Sequence, residues 1–343
     1  MKSYDLRSDT VTLPSPAMRK AMHDAEVGDD VYANDPTVNR LQEMAAGVTG
    51  TEAALFVSSG SMGNLIPVFL NCGRGNELLI DSRGHIVQHE LASATAIAGA
   101  LPVTIPTEKG ILDVDLLEPR IQPDIYYCQR TRMVALENTH NAAGGTYYPL
   151  STLRDIAAFA RKHCLTVHLD GARIFNASIG SGASVRDISA CAETVTFCLS
   201  KGLGCPVGAM LCGRKEFIAE ARRVRKMLGG GMRQVGVIAA AGIYALQHNV
   251  ERLAEDHENA RLVAGALAGT PWASLDPQDV PTNIIYFDTP GRSADDVVKA
   301  LERAGIRSGA SGPNTIRFVT HLDISREDAK QVASIVGRLM LPA

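Results

Sequence analysis

Two apolar runs, each ending abruptly in polar residues followed by glycine, constrain this chain most strongly. The first, 167–169, ends at Asp170, and the second, 196–199, ends at Ser200 and Lys201. Their apolar and β-branched composition predicts buried strands whose C-terminal ends open onto loops. Because ligands bind at the carboxyl ends of strands in open α/β sheets, we expect Asp170 and Lys201 at one rim of a sheet.

A carboxylate and an amine at one rim indicate pyridoxal 5'-phosphate (PLP) as the cofactor. PLP forms a Schiff base with a lysine, and a carboxylate keeps its pyridinium nitrogen protonated so that the ring accepts electrons from a substrate α-carbon. Taken singly, an aspartate at a strand end is usually a turn residue or a helix cap, and a lysine there is usually solvated. The prediction therefore depends on Asp170 and Lys201 as a pair.

Strands alternate with helices along most of the chain, which predicts an α/β fold with a mainly parallel sheet. Besides the two runs above, the predicted strands are 54–57, 77–80, 103–105, 133–136 and 209–212. The predicted helices are 15–24, 35–46, 112–121, 150–164, 216–228 and 233–267, the last two separated by three glycines. Pro271 and Pro277 mark a smaller final unit with strands 283–287 and 315–319 and helices 295–304 and 326–339. We expect an N-terminal segment with a large domain over 1–250, and a small C-terminal α+β domain over 251–343.

Composition and charge exclude several classes of protein. The 343 residues carry a formal net charge of −3, which leaves no polybasic surface for nucleic acid. No apolar run reaches the roughly 18 residues of a membrane span. Seven cysteines occur without a C-x-x-C pair, and residues 1–7 lack the apolar core of a signal peptide. We expect a cytoplasmic protein with no disulfide framework and no metal among its site residues.

Further polar residues follow other predicted strands. A Ser/Gly turn at 58–64 precedes a helix and has the form of a phosphate cradle, because free backbone N–H groups and the helix dipole face an anion there. Such turns are common, so this signal is weak alone. His85 and His140 also come at strand ends. A neutral imidazole there can lie flat on a pyridine ring or take up a proton near neutral pH.

Three arginines are placed for anionic groups. Arg173 follows Asp170 by three residues, and Arg317 lies within the apolar strand 315–319. A guanidinium matches the carboxylate of an amino-acid substrate, although an intramolecular salt bridge is an equal alternative for Arg317. Arg233, which follows the three glycines, is placed for a phosphate and reaches towards a neighbouring subunit in this interpretation.

Six ordered motifs together resemble the low-specificity L-threonine aldolases, over essentially the whole chain. They are DLRSDTVT at 5–12, GDDVY at 28–32, LENTHN at 136–141, HLDGAR at 168–173, LSKGLG at 199–204 and GGGMRQ at 229–234. The resemblance implies a PLP-dependent enzyme of fold type I, similar to aspartate aminotransferase, with a mostly parallel seven-stranded sheet and a small C-terminal domain. It also implies a homotetramer with sites at subunit interfaces.

The resemblance assigns a role to each site residue. Lys201 carries the Schiff base, Asp170 pairs with the pyridine nitrogen and His85 stacks on the ring. The remaining cofactor contacts come from Gly60, Ser61, Arg173, Ser200 and Arg233. The substrate contacts come from Ser8, Tyr32, Arg173 and Arg317. His140 is placed near the β-hydroxyl of the substrate, while the loop after it, Ala142-Ala143-Gly144-Gly145, departs from the family pattern and leaves the threonine/allo-threonine preference open.

These inferences predict retro-aldol cleavage of L-threonine, L-allo-threonine and related β-hydroxy-α-amino acids to glycine and an aldehyde. The predicted base is His140, either directly or through a water molecule that it holds, with His85 as the alternative. A β-eliminating lyase or a transaminase could use the same Lys201 and Asp170, so both stay open. A non-catalytic PLP-binding regulator would need a DNA-binding module for which the chain has no room. A nicotinamide oxidoreductase is weaker still, because Gly202 and Gly204 are not followed by glycine at Val207.

Overall fold

A computed structural model describes residues 2–341. Its strands are β1 (Tyr4–Asp5), β2 (Ala53–Val57), β3 (Glu77–Asp81), β4 (Leu101–Ile105), β5 (Thr131–Glu137), β6 (Thr166–Asp170), β7 (Thr194–Cys198), β8 (Ala209–Gly213), β9 (Ile284–Asp288), β10 (Ile306–Arg307), β11 (Gly309–Gly312) and β12 (Thr315–Val319). Its α-helices are α1 (Pro16–His23), α2 (Pro36–Thr49), α3 (Gly60–Pro67), α4 (His85–Gln88), α5 (Ser93–Ala96), α6 (Val114–Leu117), α7 (Leu150–Lys162), α8 (Ile174–Ser181), α9 (Val185–Ser189), α10 (Lys215–Met227), α11 (Gly236–His248), α12 (Leu253–Ala268), α13 (Ala294–Arg303) and α14 (Arg326–Arg338). None of these helices has both the length and the apolar character needed to cross a membrane.

The large sheet has seven strands in the order β2-β8-β7-β6-β5-β3-β4. Only β8 runs antiparallel to its neighbours, β2 and β7, so the prediction of a mostly parallel seven-stranded sheet is confirmed. Strands β3, β7 and β8 are buried along their whole length, as expected for strands covered by helices on both faces. The C-terminal ends of β3, β5, β6 and β7 therefore meet at one edge, where the predicted rim lies.

Two predicted helices differ from the structure. The helix expected over 112–121 is the single turn of α6 followed by a 3-10 turn at Glu118–Arg120, because Pro119 has no N–H to donate to the fourth carbonyl before it. The long helix expected over 233–267 is two helices, α11 and α12. Between them, the buried Asn249 side chain donates to the carbonyl of Leu203 (2.8 Å), which fixes the end of α11 beside the loop that follows Lys201.

The C-terminal unit has its own sheet and its own apolar core. Its antiparallel sheet has the order β11-β12-β9 and packs with α12, α13 and α14. Trp272, Phe287 and Phe318 meet edge to face in the core. Strand β1 pairs in parallel with β10, and the buried Leu6 belongs to the same core, so the first residues of the chain pack with the C-terminal unit.

Candidate active site

Lys201 lies just beyond the end of β7 on a loop that is fixed through its backbone. The Lys201 carbonyl accepts hydrogen bonds from Gly204 N (2.8 Å) and from Thr12 Oγ1 (3.0 Å). Within residues 2–341, the Lys201 ammonium makes no hydrogen bond or ion pair at its side chain, which is half-buried. A fixed backbone with an unengaged amine is the arrangement that a covalently bound carbonyl group requires.

Asp170 lies at the end of β6 with 2% of its surface exposed. Its Oδ1 accepts from Ala172 N (3.0 Å) and its Oδ2 from Asn64 Nδ2 (2.8 Å), both neutral donors. No cation of the described chain pairs with it. Because a buried carboxylate without a counter-charge is costly, this geometry suits a bound cation such as a pyridinium N–H, and the residue fits PLP.

Asn64 connects Asp170 to two residues that sequence reasoning missed, Glu90 and His168. Its Nδ2 donates to Asp170 and to Glu90 Oε1 (2.8 Å each), so its Oδ1 must accept from His168 Nε2 (3.1 Å). His168 Nδ1 then accepts from Thr194 Oγ1 (3.0 Å). Burial lowers the pKa of His168 to about 4, against the opposing charge of Asp170, so this imidazole is neutral.

His85 is the first residue of the short helix α4 and keeps 29% of its side chain exposed. Its backbone N–H donates to Glu137 Oε2 (2.8 Å), and its Nδ1 lies 2.8 Å from Glu90 Oε1. Burial lowers the pKa of His85, but the hydrogen bond to Glu90 and the charges of Asp170 and Glu90 outweigh it, so the pKa is raised above its ordinary value.

The Ser/Gly turn that was expected to hold a phosphate leads into the first turn of α3. A Cβ on Gly60 would lie 2.7 Å from Cys198 Sγ, and a Cβ on Gly63 would lie 2.6 Å from Thr196 Cγ2. Only glycine therefore lets the first turn of α3 lie against β7. Ser61 is exposed at this turn, and neither the Gly60 nor the Ser61 N–H has a hydrogen-bond acceptor within the described chain, which leaves both for an anion. Ser200 is half-buried on the loop that follows β7, the strand against which this turn packs.

Two arginines converge on one neutral oxygen. Arg173 is buried and forms a bidentate ion pair with the fully buried Asp9, with Nε–Oδ2 and Nη2–Oδ1 distances of 2.7 Å. Arg173 Nη1 also donates to Asn141 Oδ1 (3.4 Å), and Arg317 Nη1 donates to the same oxygen (3.1 Å). Arg317 has no carboxylate partner among the described residues, so an anion is favoured where its guanidinium meets that of Arg173.

Ser8 lies at the edge of this arginine pair. Its Oγ accepts from Thr10 N (3.2 Å) and from Thr10 Oγ1 (2.9 Å), and so caps the 3-10 turn that carries Asp9. Burial raises the pKa of Asp9, but the charges of Arg173 and Lys201 outweigh it and lower the pKa to about 2. Asp9 is therefore ionised at every working pH and holds Arg173 in place.

His140 is not open to the rim in the isolated chain. Its side chain is 0% exposed, its Nε2 donates to Asp81 Oδ1 (3.1 Å), and its Nδ1 is buried without a hydrogen-bond partner. Gly110 lies on the ring, where a Cβ would come within 2.5 Å of His140 Cγ. The backbone turns inward here, because His140 N donates to the carbonyl of Thr146 (2.8 Å). This geometry favours the alternative base, His85.

Tyr32 and Arg233 lie on surface loops that contact each other. Tyr32 is 74% exposed and Arg233 is also exposed, and neither side chain hydrogen-bonds to another predicted site residue. The loops meet where Asp30 N donates to the carbonyl of Arg233 (3.1 Å). A Cβ on Gly230 would lie 2.7 Å from Met62 Sδ, so the triple-glycine loop approaches the turn that carries Ser61.

Comparisons with known proteins agree with this geometry. The chain matches the family described as beta-eliminating lyase over residues 5–290. The low specificity L-threonine aldolase of Escherichia coli (strain K12) is 43% identical over 96% of this chain and 97% of its own. The solved threonine aldolase of Leishmania major is 20% identical, with a TM-score of 0.82 over 98% and 99% of the two chains. A serine palmitoyltransferase solved with PLP is 18% identical, with a TM-score of 0.75 over 98% and 86%.

The chain has the α/β fold of the PLP-dependent enzymes of fold type I, as the sequence predicted. These two solved structures share 20% and 18% identity with the chain, whereas the Escherichia coli aldolase shares 43% over nearly its full length. The chain belongs to the low-specificity L-threonine aldolase family, within the beta-eliminating lyases.

Proposed function

We propose that this protein cleaves L-threonine, L-allo-threonine and related β-hydroxy-α-amino acids to glycine and an aldehyde by a PLP-dependent retro-aldol reaction. One observation carries the proposal. An unengaged lysine amine and a buried, uncompensated aspartate lie on the same rim as a pair of guanidiniums converging on a neutral oxygen. The rim thus offers an amine for a carbonyl cofactor, a counter-charge for its ring and a clamp for a carboxylate.

The residues of the rim divide the cofactor between them. Lys201 would carry the cofactor, and Asp170 would balance the positive charge of its ring. Gly60, Ser61 and Ser200 would hold its phosphate, together with Arg233 from a neighbouring subunit. When bound, PLP supplies a ring that takes up the electron pair released as the Cα–Cβ bond breaks.

Arg173 and Arg317 hold the substrate carboxylate, which takes the place of Asn141 Oδ1 between them. Ser8 completes this contact from the N-terminal segment, and Tyr32 closes the site from an adjacent loop. Two-point binding would fix rotation about the bond between the substrate nitrogen and its α-carbon, and would so select which bond of the α-carbon is broken. Fixed orientation of this kind is worth several kcal/mol of an activation barrier.

The β-hydroxyl proton needs an acceptor, and two histidines are candidates. His85 has an exposed ring and lies beside Asp170 through Glu90 and Asn64. His140 is enclosed in the isolated chain, so its role requires either movement of the Gly110 loop or a water molecule held at Nδ1. We therefore place His85 first as the group that takes the proton, and His140 second.

We further propose a cytoplasmic homotetramer with sites at subunit interfaces, divided near residue 250 into a large and a small domain. Exposed apolar side chains support association of subunits, among them Leu13 and, within the GDDVY motif, Val31 and Tyr32. All seven cysteines are free, which is consistent with a reducing compartment. Helix α12, which follows the division, contributes to the small core.

Product analysis tests the reaction type. Purified protein supplied with PLP and L-threonine or L-allo-threonine should release glycine and acetaldehyde in equal amounts, without 2-oxobutyrate or ammonia. Stoichiometric ammonia with 2-oxobutyrate would make the protein an eliminating lyase. Conversion that needs a 2-oxo acid acceptor would make it a transaminase.

A further inference from the structure

Glu90 is a buried acid that lies behind the proposed base. Only 1% of its side chain is exposed. Its Oε1 bonds both to His85 Nδ1 (2.8 Å) and to Asn64 Nδ2 (2.8 Å), while Oε2 is buried without a partner. Neither the sequence motifs nor the cofactor chemistry described above gives this residue a role.

Two carboxylates and one imidazole share this small volume. His85, Glu90 and Asp170 each present an atom within 4.8 Å of the others. Burial and the charge of Asp170 raise the pKa of Glu90, opposed by its hydrogen bonds to His85 and Asn64. The pKa of His85 is raised as well, so His85 and Glu90 hold a proton between them more tightly than either would alone.

The position of that proton follows from Asn64. The Asn64 amide donates its two hydrogens to Asp170 and Glu90, so Glu90 Oε1 is an acceptor in that bond. The second bond to Oε1, at 2.8 Å from His85 Nδ1, is then satisfied by an Nδ1–H donor. With Nδ1 protonated, the lone pair of neutral His85 lies on Nε2, which has no partner within the described chain and belongs to the partly exposed ring.

We propose that Glu90 is a positioning residue that fixes His85 in its Nδ1–H tautomer, so that Nε2 takes the β-hydroxyl proton. This inference rests on the proposed function in one respect, which is that the proton comes from the β-hydroxyl of the substrate. Asn64 fixes the orientation of Glu90 and links it to Asp170. Glu90 thereby stands to His85 as the aspartate stands to histidine in hydrolase triads.

Other groups also face His85 and influence its pKa, so the variants must leave those groups unchanged. Lys201 lowers its pKa, Asp170 raises it, the Glu137 carboxylate receives its backbone N–H, and the His89 ring lies 5.4 Å from it. A change at Glu90 must therefore be compared with a change at an acid remote from this cluster. Glu118, exposed on the turn after α6, serves as that control.

Histidine hydrogen–deuterium exchange at imidazole Cε1, resolved by mass spectrometry, gives the pKa of each histidine in the protein as purified. Glu90→Gln should lower the pKa of His85 by about one unit or more, because it removes an adjacent carboxylate. The other histidines remote from the cluster should be unchanged, and Glu118→Gln should leave all nine as they are. Glu90→Asp, which keeps the charge but withdraws it by one methylene, should give an intermediate value. Glu90→Asp also tests the proposal if Glu90→Gln fails to fold.

The dependence of kcat on pH distinguishes a positioning role of Glu90 from a purely structural one. The rising acid limb of kcat against pH should move to lower pH in Glu90→Gln by the same amount as the pKa of His85, with kcat reduced more than KM changes. An unaltered His85 pKa in Glu90→Gln would overturn the proposal even if the enzyme cleaves threonine. A shifted His85 pKa in a protein that cleaves no β-hydroxy amino acid would instead leave Glu90 as positioning residue and remove the proposed function.

Discussion

The ion pair between Asp9 and Arg173 yields a prediction that separates stability from substrate binding. Both side chains are buried, and two hydrogen bonds of 2.7 Å join them. The pKa of Asp9 is lowered from 3.8 to about 2. A shift of this size corresponds to roughly 2–3 kcal/mol of interaction. Removing one partner also leaves an uncompensated buried charge, so Asp9→Asn should cost about 3–5 kcal/mol of unfolding free energy.

The double variant Asp9→Asn/Arg173→Met should recover a large part of that loss. With the cation also removed, no buried charge is left unpaired, and apolar replacements for a buried pair are often near neutral in stability. KM for threonine should nevertheless be higher in the double variant than in Asp9→Asn, because Arg173 Nη1 is then missing beside Asn141. Stability and substrate affinity therefore change in different directions across the two variants.

Urea unfolding at one fixed protein concentration measures the unfolding free energy, and initial rates against threonine concentration measure KM. Asp5→Asn is the matched control, since the pair of Asp5 with Arg7 is exposed on the Arg7 side (52%) and should contribute under ~1 kcal/mol. A loss below ~1 kcal/mol in Asp9→Asn, or a double variant no more stable than the single one, would refute the reasoning.

The pH dependence has a definite sign. The folded pKa of Asp9 is depressed, so the stability it contributes is present above the unfolded pKa near 4 and is lost as pH falls through about 2. The difference in unfolding free energy between the native protein and Asp9→Asn should therefore be constant from pH 5 to 8 and should shrink below pH 4. A difference that persists undiminished at pH 2 would place the effect elsewhere.

Three further predictions concern the proposed reaction. Lys201→Ala should lose the visible cofactor absorption after dialysis and any borohydride labelling of the protein, while its far-UV circular dichroism stays native. Arg317→Ala should raise KM for threonine by a factor corresponding to roughly 2–5 kcal/mol, with little change in cofactor affinity; equal loss of cofactor affinity would place Arg317 at the phosphate. His85→Phe should slow cleavage by about 10²–10⁴-fold and slow α-proton exchange of glycine much less, whereas His140→Phe should slow cleavage in this selective way only if the His140 ring reaches the substrate.

Much of the fold was predictable because burial imposes a simple pattern on a doubly covered parallel sheet. Strands β6 and β7 are buried along almost their whole length, and each leads into a polar residue of the rim, Asp170 at the end of β6 and Lys201 shortly after β7. The rim positions of Asp170 and Lys201 follow from that rule. Element ends were less predictable, since the break at Asn249 depends on a side-chain bond to Leu203, 46 residues away, which no local pattern contains.

The partners of the site residues were not predictable, for a related reason. Asn64 lies one turn into a helix, and Glu90 is a single acid in a mixed loop, so neither position carries a periodic signal. Each acquires its role through side-chain bonds spanning 26 or 106 residues. Arg173 was expected to face substrate, yet its Nε and one Nη2 hydrogen are used by Asp9, 164 residues earlier in the chain.

Charge balance explains why the site contains two arginines with different surroundings. Asp9 already compensates Arg173, which therefore contributes a fixed and oriented donor with little net charge of its own. Arg317 has no carboxylate partner within the described chain, so its positive charge is uncompensated there. Asp170 likewise has no cationic partner among the described residues. In the proposed complex these two charges would face the substrate carboxylate and the cofactor ring, so binding either group would relieve a desolvation penalty that the folded protein already bears.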